Sequence, residues 1–282
     1  MIQMLRLIKN EFVKLKTPVI ITLVLVTLAT IILSCTLYVN YSLHHDLEAW
    51  EVGIAVPTFV FPLFVVIPIC WSLYYERKGG FLKYTLPRVG KARYLTAKWI
   101  ASAICSFVLI FVPFFLAAVF ALYVKPPADT EFSQQYNAFS HAFYDLFVYR
   151  PLLYAFLSSL WKGVVGVMVM SLGFVLSMYV KNIFVILTGS FIYMMVENFT
   201  LAILNVPQYR LFTSFEPSII PLYFSSWKMH IPEGHPMGEP TGWIQPVDSY
   251  LVLLAGPGII IAFMVLLWLF FTKVKKVSVY EV

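Results

Sequence analysis

Polar and basic breaks divide the chain into six long apolar runs, at residues 18–39, 54–75, 99–124, 152–180, 183–206 and 250–272. Each exceeds the ~20 residues that a helix needs to cross a hydrocarbon core of about 30 Å. The pattern predicts an all-α polytopic membrane protein, a single domain of six transmembrane helices over residues 1–282. Ahead of the first run, residues 1–17 set Ile2, Leu5, Ile8, Phe12 and Leu15 on one helical face, with Arg6, Lys9, Lys14 and Lys16 on or beside the other. Such an amphipathic stretch predicts an interfacial helix lying on the membrane, apolar side down.

The breaks differ in kind. Residues 125–150 repeat Phe132, Tyr136, Phe139, Phe143 and Phe147 every three or four positions, an aromatic stripe if helical and an interfacial aromatic belt if not. Residues 207–247 hold Trp227, Trp243 and the apolar patch Ile219 to Phe224, interrupted by prolines. That segment is too apolar for a solvated loop and too broken for a span, so a re-entrant or interfacial hairpin is expected. The second span contains Pro57, Pro62 and Pro68, each of which removes a backbone donor and favours a bend.

Charge fixes the expected topology. The two termini and the loops at 76–98 and 181–182 hold fifteen Lys and Arg against three acids, whereas the three opposite segments hold four against ten. Short Lys/Arg-rich loops stay on the cytosolic side, so both termini and residues 76–98 are expected inside, and 125–150 and 207–247 outside. The chain is 60% hydrophobic and 12% charged, with a mean hydropathy of +0.82, far from an ordinary soluble domain. Its net charge of +6 lies in loops of one side, so nucleic acid is not an expected partner.

Seven of the chain's 20 Lys and Arg lie between Glu76 and Lys98. Within that stretch Gly79 and Gly80 break the chain, Phe81 to Leu86 has room for one or two helical turns, and Pro87 is expected to stop them. An acid closing the second span (Glu76), a glycine (Gly79 or Gly80), a leucine (Leu82 or Leu86), the Pro87-Arg88 pair and Lys98 opening the third span resemble permease subunits of the type-2 ABC transporter family. The chain also has that family's length and six-span layout. The resemblance implies that residues 1–17 are an elbow helix and that residues 76–98 are a coupling helix seated in a separate P-loop ATPase subunit. It also implies a second permease chain, identical or related, and export as the direction of transport. Peptide or lipid-like amphiphiles are the expected cargo, and the expected location is a cell membrane of bacterial type, with membrane lipid around the chain.

Two charges interrupt the spans. At about 1.5 Å per residue, Lys162 stands about 28 Å and Glu197 about 24 Å above the turn at Lys181. A charge at such depth costs a few kcal/mol or more unless paired or hydrated. Lys162 and Glu197 are therefore expected to pair or to line a polar cavity, or else Lys162 snorkels to the surface and Glu197 is neutral or solvated. On the fourth span Ser159, Gly163, Gly166, Gly173 and Ser177 share a face that admits close helix approach, within the chain or between two copies.

Other chemistry is not expected. Gly90-Lys91 is followed by alanine, without the upstream glycine of a Walker A loop, so ATP and its magnesium belong on the partner and no cofactor is assigned here. The spans lack the acidic pairs, HExxH or Ser/His sets of an intramembrane protease, so the chain is read as no enzyme. His44, His45, Asp46, Glu48 and Glu51 form an acidic loop, but adjacent side chains diverge and no further ligands are spaced nearby, so no metal site is expected. Cys35, Cys70 and Cys105 each fall within an apolar run and read as packing residues. A secondary transporter or channel not driven by ATP is the alternative function.

Overall fold

The computed structural model of the chain describes residues 2–37, 45–125, 143–218, 220 and 249–270. All regular elements among these are helical. Among the described residues six helices are long and apolar enough to cross a membrane: α1 (Ile2–Thr36), α2 (Asp46–Lys78), α4 (Lys91–Tyr123), α6 (Pro151–Tyr179), α7 (Ile183–Ile203) and α9 (Ala255–Leu269), the last entered through a 3₁₀ turn at Tyr250–Leu254. Short helices α3 (Phe81–Val89), α5 (Tyr144–Tyr149) and α8 (Leu211–Phe215) sit in the connections. This is a multi-pass helical membrane protein.

Helix ends differ from the hydropathy boundaries because capping chemistry, not greasiness, sets them. α2 starts at Asp46, eight residues before the second apolar run: His45 Nδ1 accepts from the Leu47 amide at 3.1 Å, and Asp46 and Glu48 sit in the first turn, where the helix dipole favours acids. At the turn between α6 and α7, Asn182 Oδ1 accepts from the Phe184 amide at 2.9 Å and starts α7. The expected elbow is not a separate element. Residues from Ile2 onward run without a break into the first span, and Pro18 lies inside α1, where Thr22 Oγ1 donates to the Pro18 carbonyl.

Successive long helices reverse direction. Lys14 near the start of α1 meets Glu76 at the foot of α2 and lies beside Lys98 low on α4, while Lys125 just past α4 pairs at 2.9 Å with Asp46 at the opposite end. The two ends are called here the α3 end and the α8 end. α2 and α6 are the most buried spans, and α1, α7 and α9 the most exposed. The core joins Phe61, Val65 and Ile69 of α2, Leu109 and Phe114 of α4, and Val165, Val169 and Leu172 of α6.

The small-residue face of α6 packs within the chain. A Cβ on Gly163 would stand 2.7 Å from the Phe107 ring and one on Gly166 2.7 Å from Ile110, both on α4. One on Gly173 would stand 2.8 Å from Val66 and 3.2 Å from Cys70 on α2. Ser159 and Ser177 on the same face are fully buried, and Ser177 Oγ donates to the Phe174 carbonyl at 2.7 Å. Of the two partners open to this face, α2 and α4 of the same chain take it.

Candidate functional site

At the α3 end, residues 76–98 are almost wholly helical. Only Gly79, Gly80 and Gly90 stand outside α2, α3 and α4. Gly80 at φ +71° and Gly90 at φ +86° adopt the left-handed conformation that side chains resist, so glycine is what lets the chain turn at both ends of α3. Pro87, expected to stop the helix, lies inside it; proline's fixed φ suits a helix, and α3 runs on to Val89 before Gly90 ends it.

α3 is anchored by one side and open on the other. Leu82 is 3% exposed and packs with Tyr94 of α4 and Tyr179 of α6. Tyr84 faces outward at 75% exposure and Pro87 is exposed too, while Phe81, 44% exposed, has Lys14 Nζ 5.0 Å from its ring centre. Leu82, one of the residues expected to meet a partner, is thus the internal anchor. Leu86 and Arg88 are placed in α3, but their side chains lie outside the described residues.

Beneath α3 the feet of three spans are tied by alternating charges. Lys98 Nζ, 1% exposed, reaches Glu76 Oε2 at 2.6 Å and Glu11 Oε2 at 2.8 Å. Lys14 Nζ closes the ring, at 2.6 Å from Glu11 Oε1 and 2.9 Å from Glu76 Oε1. Tyr94 donates its hydroxyl to Glu76 Oε2 at 2.8 Å. The ring binds α1, α2 and α4. Next to Glu76, Arg77 donates through Nη2 to the Val180 carbonyl, fastening α2 to the α6–α7 turn. Glu11 is a residue that sequence reasoning missed; its signal was a lone acid three positions from Lys14 in a basic helix.

Toward the α8 end, Lys162 and Glu197 have separate partners. Lys162, fully buried, pairs with Glu216 at 2.5 Å, and its ammonium lies 5.5, 5.5 and 5.2 Å from the ring centres of Trp50, Phe114 and Phe215. Glu197 instead accepts from the Leu211 amide, at 3.0 and 3.2 Å to its two oxygens. An acid at the first residue of α8 satisfies an otherwise orphaned donor. Both charges thus hold the segment after α7. Its Phe215 stacks on Phe61 at 4.0 Å, Trp161 Nε1 donates to the Ser214 carbonyl at 2.7 Å, and Gly256 of α9 lets Leu211 approach so closely that a Cβ would stand 2.6 Å from its Cα.

The aromatic residues of 125–150 divide. Phe143 stacks on Tyr250 at 4.5 Å and Phe147 lies 5.0 Å from the His45 ring, whereas Phe132, Tyr136 and Phe139 lie outside the described residues. Residues 221–248, with Trp227 and Trp243, also lie outside them.

No family model, curated protein or solved structure matches this chain. Among the described residues, no three His, Cys, Asp or Glu side chains gather so as to hold a metal ion. The arrangement lends itself to mechanical work. A short helix between glycine hinges is pinned to α4 and α6, an ion ring ties α1, α2 and α4 below it, and a charged latch holds α8 in the other end.

Proposed function

We propose that this chain is the permease subunit of an ATP-driven ABC transporter of the type-2 class, exporting an amphiphilic substrate with the power of a separate P-loop ATPase. α3 is its coupling helix. The observation that carries the reading is the mounting of α3: Leu82 rooted between Tyr94 and Tyr179, Phe81 and Tyr84 left open, and the ion ring directly below. A partner that grips the open face moves α3, and the displacement reaches α1, α2 and α4 through Lys98, Lys14, Glu11 and Glu76, and α6 through Leu82 and Arg77. Movement of rigid elements between two arrangements is an established way of switching which side a cavity faces. In this reading the α3 end is cytosolic, a second permease chain completes the pathway, and ATP and magnesium bind the partner.

The experiment is affinity purification of the full chain in mild detergent. A P-loop ATPase of domain size is expected to come with it, and Phe81→Ala/Tyr84→Ala is expected to release that ATPase while the permease still folds. Purified chain that moves cargo in vesicles with no second polypeptide and no ATP contradicts the reading.

A second reading draws on the buried Lys162–Glu216 pair, since intramembrane charges also serve ion-coupled carriers. A secondary transporter or channel requires an ion gradient in those vesicles, and the ATP-driven exporter does not.

A further inference from the structure

We propose that the groove between α1 and α4 near the α3 end binds one anionic phospholipid, with an acyl chain in the trough and the headgroup phosphate between Lys9 and Lys16. The groove has a volume of about 470 Å³. Val19 and Cys105, both nearly buried, and the half-buried Ile8 and Phe12 line it, while Lys9 and Lys16 stand exposed along it. The lining is otherwise hydrocarbon and one thiol, which offers nothing to a polar solute and suits a lipid tail.

The lysines set the headgroup. Lys9 and Lys16 are seven residues apart, on one stripe of α1 and about 10 Å apart along its axis. Long flexible stems allow both ammonium groups to close on one phosphate. Lys14, which the ion ring uses, points elsewhere; among the described residues neither Lys9 nor Lys16 has an ion-pair partner. A second copy of the chain is a poor occupant of the same groove. A two-fold contact presents the same stripe on both sides, and lysines would meet lysines. An anionic headgroup neutralises both charges and leaves the trough filled.

The site does not depend on what powers the chain, so it stands or falls apart from the ATPase reading. The test is native mass spectrometry of the full chain released from detergent, titrated with phosphatidylglycerol and with phosphatidylcholine of matched acyl chains. One phosphatidylglycerol is expected to bind about 30-fold more tightly, or about 2 kcal/mol, as two lysines near an anionic lipid supply. Lys9→Gln/Lys16→Gln is expected to erase that preference, Lys78→Gln at the same end to leave it, and Val13→Trp on the exposed lip to weaken both lipids by crowding the trough. Millimolar inorganic phosphate is expected to displace nothing, because it has no tail to fill the trough. Equal binding of the two lipids, a preference that survives Lys9→Gln/Lys16→Gln, displacement by free phosphate, or a dimer that shuts lipid out would each overturn the proposal.

Discussion

Two lysines touch the same two carboxylates, yet they are not equivalent. Lys98 is 1% exposed and Lys14 37%, so water can replace the contacts of Lys14 but not those of Lys98. Removing one partner of a buried ion pair costs about 3–5 kcal/mol, whereas an exposed pair is worth about 0–1 kcal/mol. Lys98→Met is therefore expected to lower the unfolding midpoint strongly in detergent and Lys14→Met barely; equal effects would show that the ring is not what holds the α3 end. Lys162 obeys the same physics. Lys162→Met strands the Glu216 carboxylate beside Trp50, Phe114 and Phe215 and is expected to destabilise by several kcal/mol, while Lys162→Met/Glu216→Gln recovers most of the loss. Failure of the double variant to recover would mean that the ion pair does not latch α8. Glu197→Gln keeps an acceptor for the Leu211 amide and is expected to be milder than Glu197→Leu in the same melts. At this scale the sequence was only half legible. The depth of Lys162 and Glu197 showed that each needs a partner, but Glu216 lies 54 positions from Lys162 in a proline-broken segment, and no local spacing connects them.

Elements were easier to foresee than their ends. Hydropathy located all six spans, because about 20 apolar residues leave few other options. It could not see that α2 begins at Asp46, where His45 and two acids build a cap in polar sequence, or that residues 1–17 continue into the first span. That continuation is held by packing: Glu11 and Leu15 are buried on the same side as Lys14, and ion pairs from Glu11 and Lys14 reach α4 and α2. The glycines of α6 were visible as a close-contact face, and the structure gives them to the neighbouring spans. Gly173→Leu is expected to drive into Val66 and Cys70 and cost at least about 1–3 kcal/mol, seen as lower yield and an earlier melt. A normal melt for that variant would mean that α2 and α6 yield there. On α3 the prediction divides by face: Leu82→Ala loosens the helix and increases proteolysis at residues 79–90, and Tyr84→Ala leaves the proteolytic pattern unchanged.

At the scale of the whole molecule, ion pairs among the described residues tie the apolar bundle together at the ring at the α3 end, at Lys125–Asp46 and at the Lys162–Glu216 latch. The ring and the Lys125–Asp46 pair join different spans to one another, and the latch joins a span to the segment after α7. α1, α7 and α9 keep long exposed apolar faces, Ile21, Val24 and Leu28 of α1 and Ile192, Val196 and Phe199 of α7 among them, as suits helices that face lipid. Whether an external engine moves this bundle is decided at position 84, where the Tyr84 side chain is 75% exposed. A photoreactive benzoylphenylalanine placed there in living cells is expected to form its main adduct with a P-loop ATPase, lost when Phe81 is also changed to alanine. Adducts with lipid alone, or labelling of position 84 by an impermeant reagent from outside the cell, would contradict the account.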